Sequence, residues 1–548
     1  MTATRHAGFS ARSRAAALDA LGRQPFDVLV IGGGITGAGI ARDAAMRGLS
    51  VALVERDDFA SGTSSRSSRL VHGGLRYLEH GELHLVYEAS RERRTLLRIA
   101  PHLVRPLEFL WPVYEHARVP MWKLRAGLFL YDALALFRNI GGHRPLGIRR
   151  VSALEPALRQ LGLRGGARYF DAGTDDARLT VATLRAAARA GAVVLNHAAV
   201  RELVLDGESV RGAQVLDALG GRCVRVDARA VVNATGPWSD AVRRLADPEA
   251  APELRGTKGV HVAVPSDRIG AKGALTITSP IDGRVMFILP GGWLTIIGTT
   301  DTDYAGPLDC VRATSADVAY LLRSANAYFP AAHLAPSDVV SAWAGVRPLV
   351  AAGDGAPGSV SREHALAWTR PGLLTVSGGK LTTYRAMAAE VVDEVTRTLG
   401  IGAPRAPTDR VPLPGGEIAS LDRELEMARA SIGIRGLSEH LVHAYGTEWR
   451  EVWAIVGSNH ALAAQVAPGL PYIVAELHWA VEHEMALTLA DLLIRRLHVA
   501  FETRDHGMAA APAVARVVAP LLGWHTDQID GELARYGKEV ARMFGIER

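Results

Sequence analysis

Hydrophobic positions along the chain fall into short apolar runs separated by helically spaced segments, and three of these runs end in glycine. Residues 26–31 (FDVLVI) form a β-branched run that meets Gly32-Gly33-Gly34, the pattern of a buried parallel strand. Residues 35–47 follow with small residues at helical spacing, then a second strand at 50–54 closed by Glu55. Strand, helix and strand in about thirty residues make a βαβ unit. A helix from Asp176 closed by Gly191, with a strand from Ala192, predicts another αβ unit. Alternating runs at 200–216 and 223–226 predict a hairpin or meander, and 231–234 a buried strand entering a glycine turn.

From 258 to 350 the pattern turns β-rich, with HVAVP, ALTIT, VMFILP and WLTIIGTT separated by Gly, Pro and Asp. A last strand at 373–376 runs into Ser377-Gly378-Gly379-Lys380 and a helix over 382–399. Residues 401–410 (IGAPRAPTDR) read as a linker, and helices are expected beyond it at 421–431, 448–455, 473–497 and 510–522. There is no repeat and no low-complexity segment.

A length of 548 residues calls for two or three domains. The net charge of +5 is carried by arginine, with only five lysines in the chain. A positive excess suits anionic partners, but no dense basic run points to nucleic acid. Cys223 and Cys310 are the only cysteines; they offer no disulfide framework and no zinc spacing, which fits a reducing compartment and no metal site. Residues 1–24 lack a signal-peptide pattern and are expected to be a disordered extension. The nearest approach to a spanning helix is 119–137, interrupted by Lys123, Arg125 and Asp132. It is too charged to cross a bilayer, which leaves an interfacial anchor or a buried helix.

Gly32-Gly33-Gly34-Ile35-Thr36-Gly37 holds G-x-G-x-x-G at a strand-to-helix junction. Gly32 permits the tight turn, Gly34 admits a pyrophosphate to the backbone, and Gly37 lets helix and strand pack closely. The helix N-terminus offers unpaired N–H groups and partial positive charge to phosphates. Glu55, 21 residues after Gly34, is placed to accept from ribose hydroxyls and would repel a 2′-phosphate, leaving FAD or NAD. The stretch 61–77, SGTSSRSSRLVHGGLRY, is rich in hydroxyls, arginines and glycines that would wrap a dinucleotide.

SSRSSRLVHGGLRYLEHGE, SWAGVRPL and SGGKLTTYRAMA together resemble the FAD-dependent glycerol-3-phosphate dehydrogenases of the glycine/D-amino-acid oxidase superfamily. The resemblance runs from about residue 25 to the C-terminus. It implies an α/β + α fold: a Rossmann-type FAD-binding domain with an inserted β-rich substrate-binding cap over 25–400, and a helical C-terminal domain over 401–548. It implies FAD contacts at Gly32, Gly34, Gly37, Glu55, Ser64, Ser65, Ser67, Ser68, Ala234, Thr235, Gly236, Gly378, Gly379, Lys380, Leu381 and Thr382. For a dianionic substrate, glycerol 3-phosphate, it implies Arg76, Tyr77, His261, Arg347, Arg362 and Lys380. Phosphate recognition needs several cations at fixed geometry. His72 and His261 are the candidate catalytic bases, with Arg347 and Lys380 beside them.

The activity the resemblance implies is oxidation of sn-glycerol 3-phosphate to dihydroxyacetone phosphate. A membrane quinone would take the electrons, at the inner, cytoplasmic face of the cell membrane. Oligomeric state stays open, a homodimer included. Two alternatives remain at this stage: an oxidase of the same fold that uses oxygen and releases hydrogen peroxide, and a non-catalytic flavoprotein that binds nucleic acid or a protein partner.

Overall fold

In a computed structural model of the chain, residues 8–74, 81–136, 139–350 and 364–548 are described. The first sheet is built on the predicted βαβ unit. Phe26–Ile31 lies between Val51–Val54 and Cys223–Asn233, parallel to both, and Leu373–Gly378 extends the parallel order beyond Cys223–Asn233. Val193–Leu195 closes one side, and His364–Arg370 runs antiparallel at the other. Ile31 is in register with both Val54 and Asn233. The glycine turn after Ile31, Glu55 after Val54 and the turn after Asn233 therefore emerge along one carboxyl edge, where α/β sheets bind ligands. The helix Ile35–Met46 packs against the helices Asp176–Arg189 and Tyr384–Leu399.

The separate runs at 223–226 and 231–234 are one strand, Cys223–Asn233. Its first half pairs antiparallel with Ser209–Asp217 and alternates exposed and buried positions. Its second half enters the parallel sheet and is buried nearly throughout. The change of pattern marks a change of environment within one strand.

The β-rich cap is larger than the sequence pattern suggests. Besides Leu254–Pro265, Ala274–Thr278, Val285–Gly291, Leu294–Gly298 and Ser341–Val350, its sheet contains Val104–Tyr114 and Leu163–Thr174. These two long antiparallel strands went unpredicted because prolines at 106 and 112 and glycines at 165, 166 and 173 break the expected alternation. The span 258–350 also carries a helix, Ser315–Tyr328, capped by Thr314 and Asp317.

Residues 1–24 are not a disordered extension throughout. Arg14–Leu21 is a helix whose Ala17, Leu18 and Leu21 pack against Phe26, Val224 and Val226. Arg14 ties it to Asp217 at 2.9 Å. Placed one helical turn apart, these apolar positions bury a stripe that holds the segment on the sheet.

The helix expected over 473–497 is broken. Val474–His483 ends before Glu484, a buried carboxylate held by both terminal nitrogens of Arg178 at 2.7 and 2.9 Å. Asp491 then accepts from the backbone N–H groups of Leu487 and Thr488 and opens a short π-helix, Asp491–Arg496. Both acidic residues are committed to tertiary ion pairs, which outweigh continued helix. The remaining C-terminal elements are helices, among them Leu421–Ile432, Trp449–Ser458, Ala511–Leu522 and Thr526–Phe544, apart from the two-residue strand Ile546–Glu547 that pairs with Ala313–Thr314. Several share an apolar core with the cap, where Trp343 and Leu289 meet Leu477, Val499 and Phe501. Among the described residues, no helix is long and apolar enough to cross a membrane.

Candidate active site

A cavity of about 890 Å³ runs from the carboxyl edge of the first sheet to the cap, large enough for an extended dinucleotide beside a small substrate. The glycine turn forms one end. Gly32 has φ of +115°, and a Cβ there would stand 2.6 Å from the carbonyl oxygen of Ala234, so two strand ends are packed backbone to backbone. Gly34 lines the cavity. Gly37 does not; a Cβ on it would lie 1.9 Å from the oxygen of Gly32. Its part is close packing of helix on strand and not contact with a ligand.

Glu55 lines the same end. Its carboxylate accepts from the N–H of Gly33 at 2.7 Å and of Asp57 at 2.9 Å, and burial pushes its pKa up. Two oxygens with further lone pairs remain suited to ribose hydroxyls.

The serines divide their work differently from expectation. Ser64, Ser67 and Ser68 reach the cavity wall, whereas Ser65 is buried away from it. Ser64 Oγ accepts from the N–H of Ile35 at 3.0 Å. Ser67 Oγ donates to Asp176 at 2.6 Å, and Ser68 Oγ lies 2.8 Å from His261 Nε2. Two of the four are thus primarily braces that tie this loop to a helix and to the cap.

Ala234, Thr235 and Gly236 form the second turn on the cavity, with Thr235 Oγ1 donating to Asn233 Oδ1 at 2.7 Å. Gly378, Gly379, Lys380, Leu381 and Thr382 form the third. Gly378 and Gly379 have φ of +77° and +94°, a conformation that glycine adopts without steric cost. Thr382 Oγ1 exchanges two 3.2 Å bonds with the N–H and C=O of His72, locking the third turn to the predicted base loop.

Arg347, Lys380, His72 and His261 all line this cavity. Arg347 donates to Asp301 Oδ1 at 3.0 Å and to Thr299 Oγ1 at 3.1 Å. That gives Thr299 and Asp301, to which sequence alone assigned no chemistry, the task of aiming the guanidinium. His261 stacks on Trp343 with ring centroids 5.5 Å apart. Burial, then the charges of Arg347 and Arg69, push its pKa down to about 3, so it stays neutral near pH 7.

Two glycines that sequence reasoning passed over make room here. A Cβ on Gly259 would stand 2.5 Å from a terminal nitrogen of Arg347, and one on Gly298 would stand 2.1 Å from the His261 ring. Asp171 and Asp176 also line the cavity unforeseen; neither lies in a glycine or cation motif that would have drawn notice. Arg76, Tyr77 and Arg362 lie outside the described residues.

Comparison with known proteins agrees with this geometry. Residues 27–385 match the family described as FAD dependent oxidoreductase, and residues 406–529 match the C-terminal domain of alpha-glycerophosphate oxidase. A Mycobacterium tuberculosis protein named glycerol-3-phosphate dehydrogenase 2 is 41% identical over 533 residues, covering 96% of this chain and 90% of its own. A Synechocystis glycerol-3-phosphate dehydrogenase is 40% identical over 528 residues, with coverage of 93% and 95%. The solved structure of a Bacillus halodurans glycerol-3-phosphate dehydrogenase complexed with FAD superposes with a TM-score of 0.81 at 32% identity, covering 98% of each chain.

The glycine cradle, the buried carboxylate of Glu55 and the length of the cavity fit FAD, which is the cofactor. The fold is the expected α/β + α arrangement of Rossmann-type domain, β-rich cap and helical C-terminal region. By fold, cavity and sequence, the chain belongs to the FAD-dependent glycerol-3-phosphate dehydrogenase and oxidase family.

Proposed function

We propose that this enzyme oxidises sn-glycerol 3-phosphate to dihydroxyacetone phosphate and delivers the electrons to a membrane quinone, while resting on the cytoplasmic face of the cell membrane. The carrying observation is that two cations, Arg347 and Lys380, and two imidazoles, His72 and His261, meet in the FAD cavity. FAD supplies the hydride acceptor for the substrate C2–H.

The protein supplies charge, placement and a base. Arg347, aimed by Thr299 and Asp301, and Lys380 hold the anionic end and the carbinol oxygen. His261 is neutral and lines the cavity, so it adds no charge of its own there. His72 takes the O2 proton. The relatives' names, each stating glycerol-3-phosphate dehydrogenase, support this substrate.

The helix Met121–Leu134 supports the membrane part. Its Lys123, Leu124, Gly127, Leu128 and Leu130 line the cavity, while Trp122 is 73% and Phe129 59% exposed on its outer side, and Leu136 just beyond is 54% exposed. A helix with apolar side chains facing outward beside basic ones suits an interfacial position, and its inner side would border the path of an apolar acceptor.

The test is reoxidation of the substrate-reduced enzyme. Rapid turnover with a short-chain quinone, and reoxidation by oxygen alone that is slower by orders of magnitude, is expected. Fast oxygen consumption with stoichiometric peroxide, and no response to quinone, would make the enzyme an oxidase.

A further inference from the structure

The turn at His72 and Gly73 is held from two sides. Thr382 grips the backbone of His72. One residue on, the N–H of Gly73 is shared between the Tyr131 hydroxyl and Asp171 Oδ1, each at 3.0 Å. The Tyr131 hydroxyl donates to the same Asp171 oxygen at 2.7 Å and accepts from Arg93 at 2.7 Å. Arg93 in turn pairs with Asp171. All three side chains are almost wholly buried, so the cluster is shielded from water, and its bonds hold more firmly than exposed ones would.

The fit around Gly73 is tight. A Cβ there would stand 2.3 Å from the Tyr131 oxygen and 2.9 Å from Ser90 Oγ. Tyr131 does not line the cavity, whereas Asp171 and His72 do. Tyr131 therefore has no contact with the reacting atoms, yet it bonds the backbone next to the base. It also sits on Met121–Leu134, the helix whose outer side bears Trp122 and Phe129.

We propose that Tyr131, with Asp171 and Arg93, is a positioning residue that sets His72 for proton transfer and carries the placement of the Met121–Leu134 helix into the active site. The inference rests on His72 being the base. A base must lie within hydrogen-bond reach of the proton it removes, and misplacement by about 1 Å can cost on the order of 10²-fold in rate. Tyr131→Phe removes one of two acceptors for the Gly73 N–H and leaves the Arg93–Asp171 pair, so the turn loosens while the fold persists.

The experiment is anaerobic stopped-flow reduction of the FAD-loaded enzyme by glycerol 3-phosphate. Tyr131→Phe should slow flavin reduction by about 10- to 10²-fold, with FAD content, melting temperature and substrate Kd nearly unchanged. In a His72→Ala background the same substitution should have no further effect, because its influence runs through His72. Gly73→Ala, whose Cβ displaces the turn, should slow reduction likewise with FAD and substrate Kd retained, at some cost in melting temperature, and decides the matter if Tyr131→Phe fails to fold. Wild-type reduction rates in Tyr131→Phe and Gly73→Ala, or a full additional loss in the His72→Ala background, overturn the proposal. His72→Ala at the wild-type rate removes the base assignment and this inference with it. A slow His72→Ala beside a normal Tyr131→Phe removes the inference alone.

Discussion

His261 Nε2 lies 2.8 Å from Ser68 Oγ, a bond that joins the cap strand Leu254–Pro265 to the serine loop following Glu55. It fixes one imidazole against the cofactor side of the cavity, while burial and the charges of Arg347 and Arg69 keep that ring neutral down to about pH 3. The second imidazole on the cavity is His72, the base in the proposed reaction.

The pH profile follows. With His72 as base, kcat/KM falls as pH drops through its free-enzyme pKa, because a protonated imidazole cannot accept. His72→Ala should abolish that acidic limb and slow reduction by roughly 10²–10⁴-fold, whereas His261→Ala should keep the limb. An acidic limb that survives in His72→Ala and vanishes in His261→Ala would assign the base to the cap.

His261 also leaves a mark on stability. Its folded pKa is about 3, against an ordinary value of 6.5 in the unfolded chain. Its share of stability is therefore complete above pH 6.5 and is lost as pH falls from 6.5 towards 3, since only the unfolded chain takes up the proton. The slope is on the order of 1.4 kcal/mol per pH unit for one proton. His261→Gln should remove this share, so denaturant titrations of the two proteins should converge in pH dependence only above pH 6.5. Parallel curves down to pH 4 would contradict a neutral buried ring.

Arg347→Ala and Lys380→Ala should each retain FAD and lose substrate oxidation. Truncating a charged contact to a buried dianion costs about 2–5 kcal/mol in transition-state binding. Thr299→Val, which removes one acceptor holding the Arg347 guanidinium, should raise KM by a smaller factor. Steady-state kinetics at saturating acceptor check all three. A wild-type kcat/KM in either cation variant would place that residue outside the substrate site.

Glu55→Arg should weaken FAD binding. The carboxylate anchors the N–H groups of Gly33 and Asp57, so its loss frees the glycine turn as well as the ribose acceptor. Flavin-to-protein ratio after gel filtration measures it, and full occupancy would count against Glu55 as the ribose acid.

Trp122→Ser combined with Phe129→Ser should lower co-sedimentation with anionic lipid vesicles while leaving turnover with a soluble acceptor unchanged. The predicted loss follows from the outward exposure of both rings. Undiminished sedimentation, or none by the wild type, would contradict an interfacial role for this helix.

Much of this was legible in sequence because the cavity edge on the first sheet is local: Gly32 to Gly34, Glu55 and the Gly378-Gly379 turn each announce themselves by a strand ending in glycine or acid. Arg347 and Lys380 stand out by their motifs, and both line the cavity. What the chain hid depends on distant pairing. Ser68 and His261 are 193 positions apart, and no local periodicity foretells that bond. Gly259 and Gly298 read as ordinary strand glycines until the Arg347 and His261 side chains fill the space beside them. The strands Val104–Tyr114 and Leu163–Thr174 were masked by proline and glycine, which the sheet accommodates through their long mutual pairing.

The most direct test of the central claim is an anaerobic absorbance titration of the purified enzyme. Oxidised flavin absorbs near about 450 nm, and stoichiometric sn-glycerol 3-phosphate should bleach that band fully, with dihydroxyacetone phosphate formed one for one. Glycerol, lacking the phosphate for Arg347 and Lys380 to hold, should leave it nearly intact. A band that persists with sn-glycerol 3-phosphate, or bleaches equally with glycerol, would contradict the account.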